Sequence, residues 1–143
     1  MTQVHTVLIV DDDDGIRHIL ASWVRRLGHQ ALLAASAEQA LTLLDSQPVD
    51  LALCDVRMPG ADGIWLVDRM RERHAGVPVV LASGVRELDS SFTLRAGVVA
   101  YVVKPFDRDE VLFAITTGLA WRANQMESPN RFFVPVCGPQ PLR

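Results

Sequence analysis

The chain predicts an α/β fold: a doubly wound parallel sheet of five strands flanked by five helices. Three observations carry that expectation. Short apolar runs at residues 7–10, 51–54, 79–82 and 101–103 each close on a polar residue, namely Asp11, Asp55, Ser83 and Lys104. Runs of this length ended by a polar group read as buried parallel strands. Segments with helical spacing separate them, and parallel neighbours need such crossovers, right-handed by default, which cover both sheet faces.

Each element has its own signal. Ile16, Ile19, Leu20, Trp23, Val24 and Leu27 fall on one helix face, with Asp13 and Asp14 as cap residues and Gly28 as the stop. Residues 31–35 form a short apolar strand, and Ser36-Ala37-Glu38-Gln39 has the form of a capping box opening a helix to about Ser46. Gln47-Pro48 ends that helix. After Asp55 comes a loop rich in Pro and Gly, residues 57–63, then Ile64, Leu66, Val67 and Met70 of a third helix to about His74. Residues 87–95 are the weakest helix, because Ser90, Ser91 and Thr93 lower its propensity, and they mark a place for motion. Asp107-Arg108-Asp109-Glu110 again has capping-box form, and Val111, Leu112, Ile115 and Leu119 continue a last helix to about Arg122. Beyond about Gln125, Pro129, Pro135, Pro139 and Pro141 exclude regular helix, so residues 124–143 read as a tail or interdomain linker. Its residues 131–136, Arg-Phe-Phe-Val-Pro-Val, are an apolar patch able to dock on this domain, a second copy or a partner.

Composition narrows the function classes. A chain of 143 residues with 49% hydrophobic and 22% charged residues holds one domain with a proper core plus a tail. No apolar run approaches the roughly 18 residues of a membrane span, and the N-terminus lacks leader character, so a cytoplasmic protein without membrane contact is expected. With a net charge of -3, and with Arg69, Arg71, Arg73 and His74 interrupted by Asp68 and Glu72, direct nucleic-acid binding is not expected. Cys54 and Cys137 lack metal-ligand spacing and should stay reduced, Cys54 packing as a small apolar residue. The histidines at 5, 18, 29 and 74 show no zinc-helix pairing.

The chemistry gathers at the strand ends. In open doubly wound sheets a ligand binds beyond the carboxyl ends of the strands, where Asp11, Asp12 and Asp55 project. Mg²⁺ takes oxygen ligands, typically one or two carboxylates, waters and a phosphate oxygen. Asp12 and Asp55 can supply the carboxylates, Asp11 can act directly or through water, and a backbone carbonyl just past Asp55 can add a ligand. Three converging acids repel one another unless a metal or Lys104 compensates. A carboxylate can also act as a nucleophile toward phosphorus, which makes Asp55 the candidate acceptor, with Lys104 and Ser83 to position and neutralise the phosphoryl group. The added charge would bias a two-state surface. Singly, an Asp after a strand is usually a cap, Ser-Gly a turn, Lys-Pro a surface pair and Tyr101 a half-buried strand aromatic. Their joint occurrence in chain order, each at a strand end, is what points to a site.

These motifs, Val10-Asp11-Asp12 with Asp13, Asp55 with Met58-Pro59-Gly60 and Asp62-Gly63, Ser83-Gly84, and Tyr101 with Lys104-Pro105-Phe106, resemble the receiver domain of bacterial two-component response regulators over residues 4–123. The resemblance implies a flavodoxin-like sheet of order 2-1-3-4-5. It implies that Asp55 takes a phosphoryl group from a phosphohistidine of a sensor histidine kinase or phosphotransfer protein. Asp11, Asp12, Asp55 and the Arg57 carbonyl would hold Mg²⁺, and Lys104 would pair with the acceptor or phosphoryl oxygen. Ser83 would hydrogen-bond the phosphoryl group while Tyr101 turns inward as the switch aromatic. Such a chain is a phosphoacceptor that catalyses its own phosphorylation and dephosphorylation rather than an enzyme.

The resemblance further implies signalling, and potential homodimerisation, through the face of the fourth helix, fifth strand and fifth helix, with Trp121 and Phe132-Phe133 as candidate contacts. Ser83 stands where Thr is commoner. Arg57 and Val85 occupy positions that tune dephosphorylation, and a bulky cation beside an apolar group there predicts slow autodephosphorylation. Two rival readings fit the residues less well. A haloacid-dehalogenase-like phosphatase would need a second acid two residues after the nucleophile, where this chain has Arg57. A phosphorylation-independent interaction module is at odds with the full set of acceptor, metal acids, hydroxyl and Lys. Whether the chain is a single-domain regulator or the receiver of a larger protein stays open, the Pro-rich end favouring the second.

Overall fold

The computed structural model describes residues 3–84, 97–127 and 136–137, the last pair and residues 126–127 by backbone alone. In chain order the elements are β1 (Thr6–Val10), α1 (Asp14–Arg26), β2 (Gln30–Ala34), α2 (Ala37–Ser46), β3 (Leu51–Asp55), α3 (Gly63–Arg73), β4 (Val79–Gly84), β5 (Val98–Lys104), α4 (Arg108–Glu127) and β6 (Val136–Cys137). All strands pair in parallel, in the order β2-β1-β3-β4-β5-β6. The expected five-strand order is therefore present, with one more strand at its β5 edge.

The alternation of a strand divides the core into two layers. Leu8, Val10, Ala52, Cys54 and Leu81 face α2 and α3, where Ala40, Leu44, Leu66, Val67 and Met70 close the layer. Val7, Ile9, Leu51, Leu53, Val80 and Ala82 face α1 and α4, packing on Leu20, Val24, Val111, Ala114 and Ile115. On this second side the approach is close: a Cβ added at Gly118 would lie 2.5 Å from Leu51 Cδ1. Burial on both faces explains why these strands read as unbroken apolar runs.

The helix starts follow their caps. Asp13 accepts from the Ile16 amide at 3.0 Å and Ser36 from the Gln39 amide at 3.1 Å. Gln39 reaches back to the amide of Ala35 rather than of Ser36, so this box is displaced by one residue. Asp107 and Glu110 form the reciprocal box as expected, at 2.8 and 2.9 Å. Asp62, read from sequence only as a loop residue, caps α3 by accepting from Trp65 N at 2.9 Å.

Several boundaries differ from the sequence reading. β5 begins at Val98 rather than Tyr101, because Val98, Val99 and Ala100 are buried and continue the pairing with β4. α4 runs past Arg122 to Glu127. Arg122 anchors that extra turn, lying 3.2 Å from Asp50 and donating to the Gly76 carbonyl at 2.7 Å. Within the tail, Val136–Cys137 forms β6 opposite Ala100 and Tyr101. Four helices are present among the described residues. The helix expected over 87–95, and Val85 with it, lie outside them, as do Phe132 and Phe133.

Candidate acceptor and metal site

The strand register builds the site. Val10 pairs with Cys54, Asp55 with Ala82, and Gly84 with Lys104, so the polar residues that end β1, β3, β4 and β5 meet at one edge of the sheet. Asp11, Asp12 and Asp55 each bring a carboxylate oxygen within 4.8 Å of the others. Lys104 Nζ lies 3.1 Å from Asp55 Oδ2 and 3.6 Å from Asp11 Oδ2, closing the cluster from β5.

Local geometry holds each acid. The Asp13 amide donates to Asp11 Oδ1 at 2.9 Å, and the Arg57 amide lies 3.3 Å from Asp55 Oδ1. Arg17, which sequence reasoning passed over, donates through Nη1 to the Asp11 carbonyl at 2.7 Å and pairs with Asp14. The i, i+3 spacing of Asp14 and Arg17 was the only sequence signal for it. Gly63 lets α3 approach β3: a Cβ there would lie 2.4 Å from the Asp55 carbonyl oxygen. That close contact gives Gly63 a steric role that the loop composition alone did not show.

Burial makes the cluster electrostatically costly. Asp11 is 1% exposed and Asp55 6%. Burial pushes the Asp55 carboxyl up to about 6, with Lys104 pulling it down and Asp11 adding to the rise. Burial likewise raises Asp11, against the Asp13 amide and Lys104. Burial also works against the charge of Lys104, but Asp55 and Asp11 outweigh it and hold the ammonium above its ordinary range. Cys54, fully buried beside Asp55, is pushed up by burial and by that carboxylate, so its thiol stays protonated.

At this sheet edge, Asp11 Oδ2 and Ser83 Oγ are buried without hydrogen-bond partners among the described residues. A carboxylate oxygen that Lys104 meets only at 3.6 Å, within a cluster of three acids, and a hydroxyl without an acceptor fit a hard cation and an oxyanion. Ser83 lies one residue past the level of Asp55 on the neighbouring strand. Asp12 is the exposed member of the acidic set, Arg57 is exposed on the loop after Asp55, and Tyr101 is half-buried against the α2 and α3 layer. The structure thus brings Asp11, Asp12, Asp55 and Lys104 into one cluster, with Ser83 and Arg57 adjoining and Tyr101 further back on β5.

Ile16, Ile19, Trp23, Pro105 and Phe106 line an apolar groove that opens beside Lys104. Trp23 and Phe106 meet edge-on, with centroids 6.5 Å apart. Ile19 is half exposed there, at 51%.

Comparison with known proteins places this geometry. The family model for the response regulator receiver domain matches residues 7–116. Sporulation initiation phosphotransferase F of Bacillus subtilis is 34% identical over 82% of this chain and 96% of its own length. Regulatory protein AtoC of Escherichia coli is 34% identical over 89% of this chain but only 28% of its own length. A CheY-like receiver domain protein from Methanospirillum hungatei superposes with a TM-score of 0.80 at 27% identity, covering 86% of this chain and 99% of that one. NtrX from Brucella abortus gives a TM-score of 0.82 at 26% identity, covering 89% of this chain and 29% of that one.

Proposed function

The chain belongs to the response regulator receiver domain family and is a phosphoacceptor signalling switch, and from that premise we propose that Asp55 is the residue that accepts the phosphoryl group. The observation that carries this reading is the Asp55 carboxylate, 6% exposed, held 3.1 Å from Lys104 inside the acidic cluster. Residues 4–123 are the receiver and residues 124–143 its tail, and the protein works in the cytoplasm without membrane or direct nucleic-acid contact.

The donor is a phosphohistidine of a sensor histidine kinase or phosphotransfer protein. An Asp55 oxygen attacks phosphorus in line, the P–N bond breaks, and the imidazole leaves with the bonding pair and takes up a proton. Such a transfer asks mainly for positioning and charge neutralisation. Asp11, Asp12, Asp55 and the Arg57 carbonyl would hold Mg²⁺, which supplies charge neutralisation on the phosphoryl oxygens. Lys104 orients the acceptor before transfer and pairs with a phosphoryl oxygen after it. The buried Ser83 hydroxyl finds its acceptor in that same group, and Tyr101 turns inward as Ser83 moves. The groove of Ile16, Ile19, Trp23, Pro105 and Phe106 offers the donor an apolar landing surface that ends at Lys104.

The chain spans less than a third of AtoC and of NtrX, so any output domain, and the pathway it serves, lie beyond this reading. Acetyl phosphate with Mg²⁺, read by intact mass, tests the acceptor. One added phosphoryl group, absent in Asp55→Asn, is the expected result. An unmodified wild-type chain would instead favour a phosphorylation-independent interaction module.

A further inference from the structure

Strand β5 links the acceptor to the tail. At its C-terminal end Lys104 contacts Asp55 and Asp11, and three positions earlier Tyr101 stands opposite Cys137, with Ala100 opposite Val136. The strand reads Val-Val-Ala-Tyr-Val-Val-Lys, without a charge and rich in valine up to its last residue. Left as a sheet edge, such a strand offers unpaired N–H and C=O groups to any extended segment that meets it. The chain meets that hazard from within: after the crossover helix α4, Val136–Cys137 adds a parallel sixth strand on this edge.

The strand is short, and that decides its character. Two residues of pairing contribute little more than one or two backbone hydrogen bonds, each modest in net terms because water competes for the same groups. An occupant held so weakly protects the edge at rest and yields to a small change in β5. Loading the acceptor acts on β5 directly, because Lys104 shifts its contacts from carboxylate to phosphoryl oxygen. Because so little holds the pairing, loading needs to favour the released form only by about ten- to a hundredfold to change the dominant state.

We propose that Val136–Cys137 is a built-in edge strand that occupies β5 in the resting protein and is released when Asp55 is loaded. This rests on the reading of Asp55 as the acceptor. It makes the tail a part of the switch, and it places the controlled surface at the β5 edge.

Amide exchange reads the pairing directly, and in the full chain exchange at residues 100–102 should rise roughly tenfold with Mg²⁺ and beryllofluoride, the scale of losing one or two backbone hydrogen bonds. Amide exchange at residues 100–102 in the resting chain should likewise be roughly tenfold slower than in Val136→Pro, and Val136→Asp should repeat the effect without a proline. Equal exchange in the native chain and both variants would overturn the resident strand. Equal exchange at residues 100–102 with and without beryllofluoride, in protein that takes a phosphoryl group from acetyl phosphate, would overturn its release. A chain that takes no phosphoryl group fails the acceptor reading instead, and the exchange comparison still judges the strand.

Discussion

At Asp55 a buried carboxylate is held ionised against its own desolvation, with one ammonium and no second cation among the described side chains in contact with it. Its carboxyl is raised from 3.8 to about 6, so the folded state holds this proton more tightly than the unfolded chain does. The sign follows by linkage: the stabilising contribution is full below about 3.8 and is lost as pH rises through about 6. Metal-free protein at neutral pH therefore carries a cost on the order of 3 kcal/mol at this one residue. Asp55→Asn removes it, less what Lys104 loses as a partner. The expected result in metal-free buffer is a stabilisation of about 1–2 kcal/mol at pH 7.5 that vanishes near pH 4, measured by urea denaturation at both values. His29 works in the opposite sense. Burial and the neighbouring His5 lower it below 6.5, so its contribution is full above that value and shrinks as pH falls through it.

Among the elements, α1 and α4 carry the sharpest tests. Gly118 sits where α4 comes closest to β3, and Leu51, whose Cδ1 a Cβ would meet at 2.5 Å, is itself fully buried and has nowhere to retreat. Gly118→Ala should cost about 1–3 kcal/mol in a thermal or urea melt despite the better helix propensity of Ala. Ile19, half exposed on α1, lines the groove that opens beside Lys104 and is not part of the acidic cluster. Ile19→Glu should leave acetyl phosphate labelling intact and slow transfer from a phosphohistidine protein at least about tenfold, as expected when an anchor of a small interface is lost. The same elements show what could be read in advance. β1, β3 and β4 were legible because burial on both faces leaves an apolar run that polar residues end abruptly, and the caps at Asp13, Ser36 and Asp107 were legible because capping is local. The full length of β5 and of α4 was not, since both are extended by contacts with distant residues, Val79 pairing with Val98 and Asp50 with Arg122. Likewise Asp11, Asp12, Asp55 and Lys104 announced themselves as strand-end residues, whereas Arg17 acts on a backbone carbonyl and Gly63 through the close approach of α3 to β3, both set by tertiary packing that local sequence does not carry.

For the molecule as a whole, the acidic edge sets stability as well as chemistry. The two core layers converge on a sheet edge where Asp11, Asp12 and Asp55 lie within 4.8 Å of one another, so the fold is made to hold like charges that, among the described side chains, Lys104 offsets at ion-pair distance. A divalent cation that binds this folded arrangement and not the unfolded chain stabilises it by mass action. At a Mg²⁺ concentration one hundred times the dissociation constant the gain is about 2.7 kcal/mol, which for a domain of this size raises Tm by roughly 5 °C or more. Asp55→Asn should start from a higher metal-free Tm and gain less from Mg²⁺, because it has lost both the repulsion and a ligand. Calcium should substitute poorly in phosphorylation while still raising Tm, since its larger, looser shell meets the carboxylates without imposing octahedral order on a phosphoryl oxygen. Scanning calorimetry of both proteins with EDTA, Mg²⁺ and Ca²⁺ separates these terms. Identical Tm values in EDTA and Mg²⁺ for the native chain would mean that the acids are held apart by the fold alone, and that Lys104 suffices as their counter-charge.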